Sequence, residues 1–383
     1  MWSNIYPLHQ NKLGYALLVL MLISVVHSQQ DMITSDPFPR WENDVINLLE
    51  EVDKNNKYTS TNKDFILKNV KQLTFDGDNG EAYFSRDATQ LIFQSKRSGN
   101  ECDKLYTMSI DGSNLKEFPI QDGAFTCAYY SLNDEFIFFS STLHDGVECP
   151  EIYKHPNPRK YIWPLRNFEI YRWDGDNLKQ LTNVPGYNAE TTIHPTEKKV
   201  IFTSMRDGDI DLYEMDYNGN NVKRITTEFG YDGGAFYSPN GKNIVWRAWY
   251  PQNEKEKEQW SLNLKNRYID AVPLDIYVAK RDGSNKKRLT SNGATNWAPS
   301  WHPDGSHIIF SSNMDDWRED YNAFGSNFEL YIINIYTLKL TRLTHNDIFD
   351  SFPVISKDGK IIFASNRNAE NPRQTNIFIG ILD

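Results

Sequence analysis

Acidic and amide side chains recur at the start of six similar short segments of this chain. Carboxylates and amides beside aromatic rings can bind a cation, act as acid and base, or hold the polar groups of a sugar or a peptide. A simpler role is to satisfy backbone groups where strands begin. The candidate ligand-binding residues are Glu81, Asn188, Glu190, Asp232, Asn296, Trp297 and Asp350, with Asn79, Tyr187, Tyr231 and Phe349 beside them.

The chain contains three cysteines, Cys102, Cys127 and Cys149. An odd number of cysteines in an oxidising compartment predicts one disulfide and one free thiol, or a disulfide to another chain. We expect a Cys102–Cys127 disulfide, with Cys127–Cys149 as the rival pairing. The three thiols and His144 together offer a zinc ligand set as an alternative. Their spacing matches no recognised ligand pattern, so we predict no metal site.

The sequence carries no contiguous catalytic motif. It lacks the Gly-x-Ser-x-Gly nucleophile elbow, the His-Glu-x-x-His zinc motif and a Gly-rich phosphate loop. Sites can also be assembled from residues far apart in the chain, so this absence is weak evidence against catalysis. The absence of these motifs favours a binding function over catalysis, and we assign no catalytic residues. We expect no cofactor, and a calcium ion among the carboxylates stays open as an alternative.

The elements that must position these residues form a sixfold repeat. Each repeat has an initial strand, a tight turn, an apolar strand, a Leu/Ile-Tyr/Phe strand and, in most repeats, a strand ending in Leu/Ile-Thr. The apolar strands begin at Leu91, Phe136, Val200, Ile244, Ile308 and Ile361. They are apolar on consecutive residues, as expected for strands covered on both faces. The pattern predicts an all-β, six-bladed β-propeller with four-stranded antiparallel blades. A β-sandwich, the alternative, does not explain the strict repetition.

The unequal repeats predict how the ring closes and where its loops lie. The last repeat lacks a fourth strand, and residues 67–74 supply one, which closes the ring and removes exposed sheet edges. Insertions near 141–168, 249–274 and 313–328 all fall between the second and third strands of a repeat. Equivalent loops of a propeller emerge on one face, here called the insertion face. A propeller has a central channel that runs through the ring. Long loops on a rigid scaffold often carry function, so we expect the site on the insertion face, at the mouth of this channel.

The start of the chain predicts export. Residues 1–28 resemble a signal peptide, with an apolar run at 13–26 and cleavage after Ser28, and an uncleaved membrane anchor is the alternative. Residues 29–62 form an extension with a short amphipathic helix at 41–52, and residues 63–383 form the propeller. We therefore expect a secreted or periplasmic protein, free of the membrane after cleavage. The formal net charge of −10 argues against nucleic acid as a partner.

Several runs resemble the WD40-like (PD40) repeats of TolB-type six-bladed propellers. They are SPNGKNIVW at 238–246, HPDGSHIIFSS at 302–312 and SKDGKIIFASNRN at 356–368. The resemblance covers roughly residues 65–383 and is closer still to exported single-domain bacterial propellers of uncharacterised function. It implies a secreted or periplasmic propeller and no agreed chemistry. TolB proteins carry a further α/β domain and act by protein–protein contact, so their partner does not carry over.

The preferred functional hypothesis is a non-enzymatic binding or interaction module. It would bind a protein or glycan ligand through the insertion face, as a monomer. One alternative is a hydrolase or lyase that acts on a polysaccharide or peptide through carboxylates at the channel mouth. Another is a component of an extracellular matrix or scaffold.

Overall fold

The computed structural model describes residues 65–151, 162–315, 327–346, 349–371 and 374–383. All of them fall in one structural unit. The predicted signal peptide, the extension and the expected helix at 41–52 lie outside the described residues.

Six antiparallel four-stranded sheets form the blades, and each blade follows the order expected from the repeat. Blade 1 contains β2 (Asp78–Phe84), β3 (Gln90–Lys96), β4 (Lys104–Ser109) and β5 (Lys116–Glu117). Blade 2 contains β6 (Phe125–Tyr130), β7 (Ile137–Ser141), β9 (Glu169–Trp173) and β10 (Leu178–Gln180). Blade 3 contains β11 (Asn188–Ile193), β12 (Lys199–Ser204), β13 (Asp211–Asp216) and β14 (Lys223–Arg224).

The second half of the ring repeats this arrangement. Blade 4 contains β15 (Tyr231–Tyr237), β16 (Asn243–Trp249), β18 (Asp275–Lys280) and β19 (Lys287–Arg288). Blade 5 contains β20 (Asn296–Trp301), β21 (His307–Ser312), β22 (Glu329–Asn334) and β23 (Leu340–Arg342). Blade 6 contains β24 (Asp350–Ile355), β25 (Lys360–Ser365) and β26 (Asn376–Leu382).

The N-terminal strand completes blade 6, as the sequence predicts. This strand, β1 (Leu67–Gln72), pairs antiparallel with β26, with Leu67 opposite Leu382 and Gln72 opposite Phe378. The first strands of neighbouring blades contact one another around the ring, and β2 contacts β24 across the closure. The predicted six-bladed propeller closed by the N-terminal strand is therefore confirmed.

The three predicted insertions all connect second to third strands. The insertion of blade 2 contains a 3-10 helix (Leu143–Asp145) and β8 (Ile162–Pro164), and that of blade 4 contains α1 (Glu254–Lys265) and β17 (Tyr268–Asp270). Helix α1 begins at an N-cap, because the Asn253 side chain accepts a hydrogen bond from the Glu256 amide. The opposite face carries the turns between first and second strands and is called the turn face.

The apolar second strands form the cores between blades. Val200, Ile201 and Phe202 of β12 are at most 1% exposed, so both faces of this strand are covered by protein. Burial of large apolar side chains in every interface between blades supplies the main stabilisation of the ring.

The Leu/Ile-Thr ending of the fourth strand has a hydrogen-bonding role. Thr226 Oγ1 donates to Asp211 Oδ1 at 3.1 Å and accepts from the Leu212 amide at 2.9 Å. Thr290 donates to Asp275 in the same way at 2.9 Å. The motif thus ties the outer strand of a blade to the start of its third strand.

Candidate functional site

Each first strand contains a β-bulge at the same position. Strand pairing shifts register between Gly80 and Tyr83 in blade 1, and between Ala189 and Thr192 in blade 3. One residue of each bulge has a positive φ, between 48° and 63°, and lines the same cavity in the channel. These six residues, called the bulge ring, are Glu81, Cys127, Glu190, Gly234, Ala298 and Phe352. Positive φ is costly for residues other than glycine, so backbone strain concentrates around the channel.

Glu190 and Arg247 form a buried ion pair inside the bulge ring. Arg247 belongs to β16, and its guanidinium uses the space that Gly234 leaves open. It contacts Glu190 Oε1, while Glu190 Oε2 accepts from the Gly234 amide at 2.9 Å and from Thr203 Oγ1 at 2.7 Å. The guanidinium also lies 3.8 Å from the ring centroid of Trp297. The surrounding groups therefore compensate both buried charges.

Glu81 is the second carboxyl group of the bulge ring. Its Oε2 accepts from Cys127 Sγ at 3.1 Å and from Thr126 Oγ1 at 3.2 Å. Burial raises the pKa of Glu81 and the nearby Glu190 adds to the rise, whereas the hydrogen bonds and the charge of Arg247 oppose it. Burial also raises the pKa of the Cys127 thiol well above its ordinary value, and the two carboxylates add to that rise. The thiol therefore stays protonated and donates to Glu81.

The bulge ring and Arg247 enclose a small cavity, called the chamber. The chamber has a volume of about 30 Å³, which is room for two or three waters. Two aromatic residues, Tyr83 and Phe236, line it on the side of the turn face, and Tyr129 packs against both of them. Their centroids are 4.9 Å apart for Tyr83 and Tyr129, 6.1 Å for Tyr83 and Phe236, and 6.2 Å for Tyr129 and Phe236. We call these three rings the aromatic gate.

Beyond the aromatic gate, the channel widens on the turn face into a cavity of about 750 Å³, called the funnel. All six blades contribute to its wall, with residues 84–88, 129–132, 193–196, 236–239, 300, 301, 303 and 354–358. The wall combines the aromatic rings of Tyr130, Tyr237 and Trp301 with the charged side chains of Arg86 and Lys357. A funnel of this size and composition can receive a segment of another molecule.

The insertions fill the other end of the channel in the part of the chain that the structure describes. Strand β8 pairs with β17, so the insertions of blades 2 and 4 form a two-stranded ribbon. The ring centroids of Trp163 in β8 and Trp297 are 4.6 Å apart, and those of Trp260 in α1 and Trp249 are 5.7 Å apart. All four rings join one apolar cluster. We expected the channel mouth to open on this face, but the described residues leave it open on the turn face instead.

The disulfide joins Cys102 to Cys149, and neither expected pairing is correct. Cys102 lies between β3 and β4, and Cys149 lies between β7 and β9, so both occupy connections on the insertion face of neighbouring blades. Their Cα atoms are 5.7 Å apart. Cys127 is free because its position in the bulge ring directs the thiol into the chamber.

The seven candidate residues divide between two environments. Glu81, Glu190 and Trp297 line the chamber. Each of the other four lies two residues before a member of the bulge ring in the sequence, and these four residues are at most 1% exposed. These four residues are Asn188, Asp232, Asn296 and Asp350.

The buried group holds the first strand to neighbouring elements of the fold. Asn188 Oδ1 accepts from Ser204 Oγ at 2.7 Å and from Arg206 at 3.3 Å. In blade 1, Asn79 accepts from Ser95 at 2.9 Å and from Arg97 at 2.6 Å. A Ser-x-Arg motif after the apolar strand is the sequence signal for this interaction.

The three aromatic residues beside the candidates lie in the apolar cluster of the insertion face. Tyr187 and Tyr231 are buried there, and Phe349 packs against it. The ring centroids of Phe349 and Phe328 are 5.6 Å apart. These rings support the covered end of the channel.

Arg247 is the main residue of the chamber that was not predicted from the sequence. It lies in the apolar run Ile-Val-Trp-Arg-Ala, and the equivalent five-residue runs of the other repeats contain no charged residue. Gly234 precedes it in the same blade, where other repeats place a side chain. A lone charge in an apolar strand, opposite a glycine in the neighbouring strand, was the available signal.

Replacement of Gly234 with alanine should disturb the chamber directly. The new Cβ would lie 1.7 Å from Arg247 Nη1, so the guanidinium would have to move. Gly293 is the matched control, because it also has a positive φ but no atom lies within 4 Å of the position that a Cβ would take. We expect Gly234→Ala to lower the free energy of unfolding by about 1 to 2 kcal/mol more than Gly293→Ala. Urea denaturation followed by tryptophan fluorescence measures the free energy of unfolding of both variants. Equal losses of stability would contradict the close approach of Arg247 to Gly234.

Asp232 should make stability depend on pH. Its Oδ1 accepts from Trp246 Nε1 and Tyr250 Oη, each at 2.6 Å, and burial raises its pKa to about 7. Below about pH 4 Asp232 is protonated in both the folded and the unfolded protein. Between about pH 4 and pH 7 only the folded protein retains the proton, so the free energy of unfolding falls as pH rises. Above about pH 7 the contribution is constant.

Asp232→Asn provides the measurement, because blades 1, 3 and 5 already have asparagine at this position. We expect the wild-type protein to lose about 2 kcal/mol more than the variant between pH 5 and pH 7. Urea denaturation across this range tests the difference. Parallel pH profiles for the two proteins would show that the carboxyl group is not protonated in the folded state.

Among the described residues, no group of three or more His, Cys, Asp or Glu side chains could hold a metal ion. No helix in the described ranges is long and apolar enough to cross a membrane.

Comparisons with known proteins agree with this architecture. No protein-family model matches the chain. The Tol-Pal system protein TolB of Francisella tularensis subsp. tularensis is 33% identical over 109 residues, which cover 27% of this chain and 22% of that protein. The match thus spans about a fifth of the length of this curated relative.

Solved structures share the fold at low sequence identity. TolB from Acinetobacter baumannii has a TM-score of 0.50 and 18% identity, covering 80% of this chain and 65% of that chain. Hydrazine synthase from Kuenenia stuttgartiensis has a TM-score of 0.51 and 13% identity, covering 79% of this chain and 40% of that chain. The protein is therefore a six-bladed β-propeller, and it is similar to TolB over part of its length. Because the two solved structures come from functionally different proteins, the fold does not select a function.

Proposed function

We propose that this protein is an extracytoplasmic binding module whose funnel receives a protruding segment of a partner protein. The funnel of about 750 Å³ on the turn face carries the proposal. Its aromatic and charged wall can bury a peptide segment and pair its polar groups. Similarity to a protein of the Tol-Pal system favours a protein partner over a glycan.

Export is part of the proposal. The predicted signal peptide at 1–28 and the Cys102–Cys149 disulfide support it, since disulfides persist mainly in oxidising compartments.

The chamber disfavours the hydrolase or lyase alternative. Glu81 and Glu190 are a carboxyl pair that could in principle act as acid and base. The chamber offers only about 30 Å³, however, which is far less than a sugar ring or a peptide unit occupies. Glu190 also forms an ion pair with Arg247, which occupies the carboxylate that would have to act as the base. We therefore propose binding without turnover.

Site-specific photo-crosslinking in the native host tests this function. A benzoylphenylalanine at Lys357 would place the crosslinker in the funnel, and one at the exposed Leu262 of α1 would place it on the insertion face. We expect one defined protein adduct from position 357 and no adduct of that mass from position 262. The purified partner should then form the same adduct. An adduct from position 262 alone would overturn the assignment to the funnel.

A further inference from the structure

The chamber carries an uncompensated charge when its acidic groups are ionised. Glu81 and Glu190 supply two negative charges, and Arg247 supplies one positive charge. The guanidinium contacts Glu190, whereas Glu81 has no ion pair among the described residues. A buried carboxylate without a counter-ion is costly. The chamber is therefore suited to one additional positive charge near Glu81.

The chamber also has unused hydrogen-bonding capacity. Thr191 Oγ1 and Arg247 Nε are buried and have no hydrogen-bond partner in the described part of the chain. Both residues line the chamber, and they are 1% and 3% exposed. Thr191 Oγ1 can accept a hydrogen bond, while Arg247 Nε requires an acceptor such as a water oxygen. A volume of about 30 Å³ admits one ammonium group and one water together.

The aromatic gate selects the shape of the group that enters from the funnel. Tyr83, Tyr129 and Phe236 lie between the funnel and the chamber. The faces of aromatic rings attract cations, so these rings favour a positive group over a negative one. An unbranched alkyl chain that ends in a compact ammonium needs less room than a planar guanidinium.

We propose that the chamber is a subsite for a primary ammonium group, the side-chain end of a lysine on the segment that occupies the funnel, with Glu81 as its counter-ion. This inference rests on the proposed function, because the lysine belongs to the partner in the funnel. Glu81 and Thr191 accept hydrogen bonds from the ammonium, and a water serves Arg247 Nε. The three rings of the aromatic gate are in mutual contact, so the four-carbon stem of the lysine displaces them as it passes from the funnel to the chamber.

Binding of the ammonium should be coupled to loss of a proton. Burial raises the pKa of Glu81, so the empty chamber favours its neutral carboxylic acid form more than water does. When the ammonium enters, Glu81 releases its proton to solvent and becomes the carboxylate that pairs with the ligand. The positive charge of the ligand replaces the charge of the released proton, so the chamber remains neutral overall.

Titration with n-butylammonium chloride tests the subsite without any knowledge of the partner. n-Butanol is the neutral probe of similar size, Glu81→Gln is the test variant, and Glu254→Gln on the exposed surface of α1 is the matched control. We expect n-butylammonium to bind the wild-type protein and Glu254→Gln at least about tenfold more tightly than it binds Glu81→Gln. n-Butanol should not discriminate among the three proteins. Ligand-observed NMR measures these affinities, and circular dichroism verifies that the variants fold.

Calorimetry of the wild-type protein gives a second readout that needs no variant. Titrations in two buffers of different ionisation enthalpy should show proton release that increases as pH is lowered towards the pKa of Glu81. Equal affinity for wild type and Glu81→Gln, or no binding of n-butylammonium, would overturn the subsite. Binding of Ca²⁺ with exclusion of the ammonium would overturn it in favour of a metal site.

The outcomes separate this inference from the proposed function. If n-butylammonium binds the chamber but no partner crosslinks at position 357, the funnel proposal fails and the ammonium subsite stands. If the partner binds the funnel equally well after acetylation of its lysines, the function stands and the lysine assignment fails.

Discussion

Arg247→Met is expected to lower the free energy of unfolding by about 3 to 5 kcal/mol, because it leaves Glu190 as an unpaired buried carboxylate. The side chains of Arg247 and Glu190 are only 4% and 7% exposed, so solvent cannot replace the lost partner. Methionine keeps much of the volume and the contact with Trp297. The loss should therefore report on charge more than on packing. Urea denaturation followed by tryptophan fluorescence provides the measurement.

The double variant Glu190→Gln with Arg247→Met is the control for this first prediction. It removes both charges, so it should recover most of the stability that the single variant loses. A loss below about 1 kcal/mol in the single variant would show that the ion pair does not hold the chamber together.

Removal of the disulfide is the second change with a large expected effect. The bond closes a loop with a sequence separation of 47 residues and joins connections of blades 1 and 2. In the chain-entropy account, a loop of this length stabilises the folded state by about 4 kcal/mol. A protein with both Cys102→Ser and Cys149→Ser should lose about that amount in urea denaturation without reductant.

Cys127→Ser is the matched control for the disulfide. Cys127 is a free cysteine, and serine can still donate a hydrogen bond to Glu81, so we expect a change below about 1 kcal/mol. Reduction of the wild-type protein should reproduce the loss of the double variant. A larger loss from Cys127→Ser than from the double variant would contradict the observed pairing.

The fold could be predicted because its determinants are local and repeated. Consecutive apolar residues such as Val200 to Phe202 predict strands covered on both faces, and the spare strand at 67–74 predicts the closure with β26. These features depend on sequence patterns within one repeat or on a simple count of strands.

The site was only partly predictable because it depends on contacts between blades. Glu81 and Glu190 could be selected from their repeat position, but Asn188 and Asp232 occupy a nearby position with a different, structural role. The bulge separates the two environments, and its effect on side-chain direction is not apparent from residue type. The same effect turns Cys127 into the chamber and leaves Cys102 free to pair with Cys149.

The open end of the channel could not be predicted from insertion length. Long loops suggested a binding surface, but in the described residues Trp163 of blade 2 packs on Trp297 of blade 5 and covers that end. Only the tertiary contacts distinguish a loop that binds a ligand from one that closes a channel. The turn face, with its short turns, carries the funnel.

The affinity of the crosslinked partner for two matched variants distinguishes the funnel from the insertion face as the binding surface. Lys357→Trp adds a bulky side chain in the funnel, and Leu262→Trp makes a comparable change on the exposed surface of α1. With purified proteins and calorimetric titration, we expect Lys357→Trp to weaken binding at least about tenfold, because the indole occupies space that the partner needs. Leu262→Trp should bind like the wild type. Unchanged affinity for Lys357→Trp together with weakened affinity for Leu262→Trp would rule out the funnel and place the interaction on the insertion face.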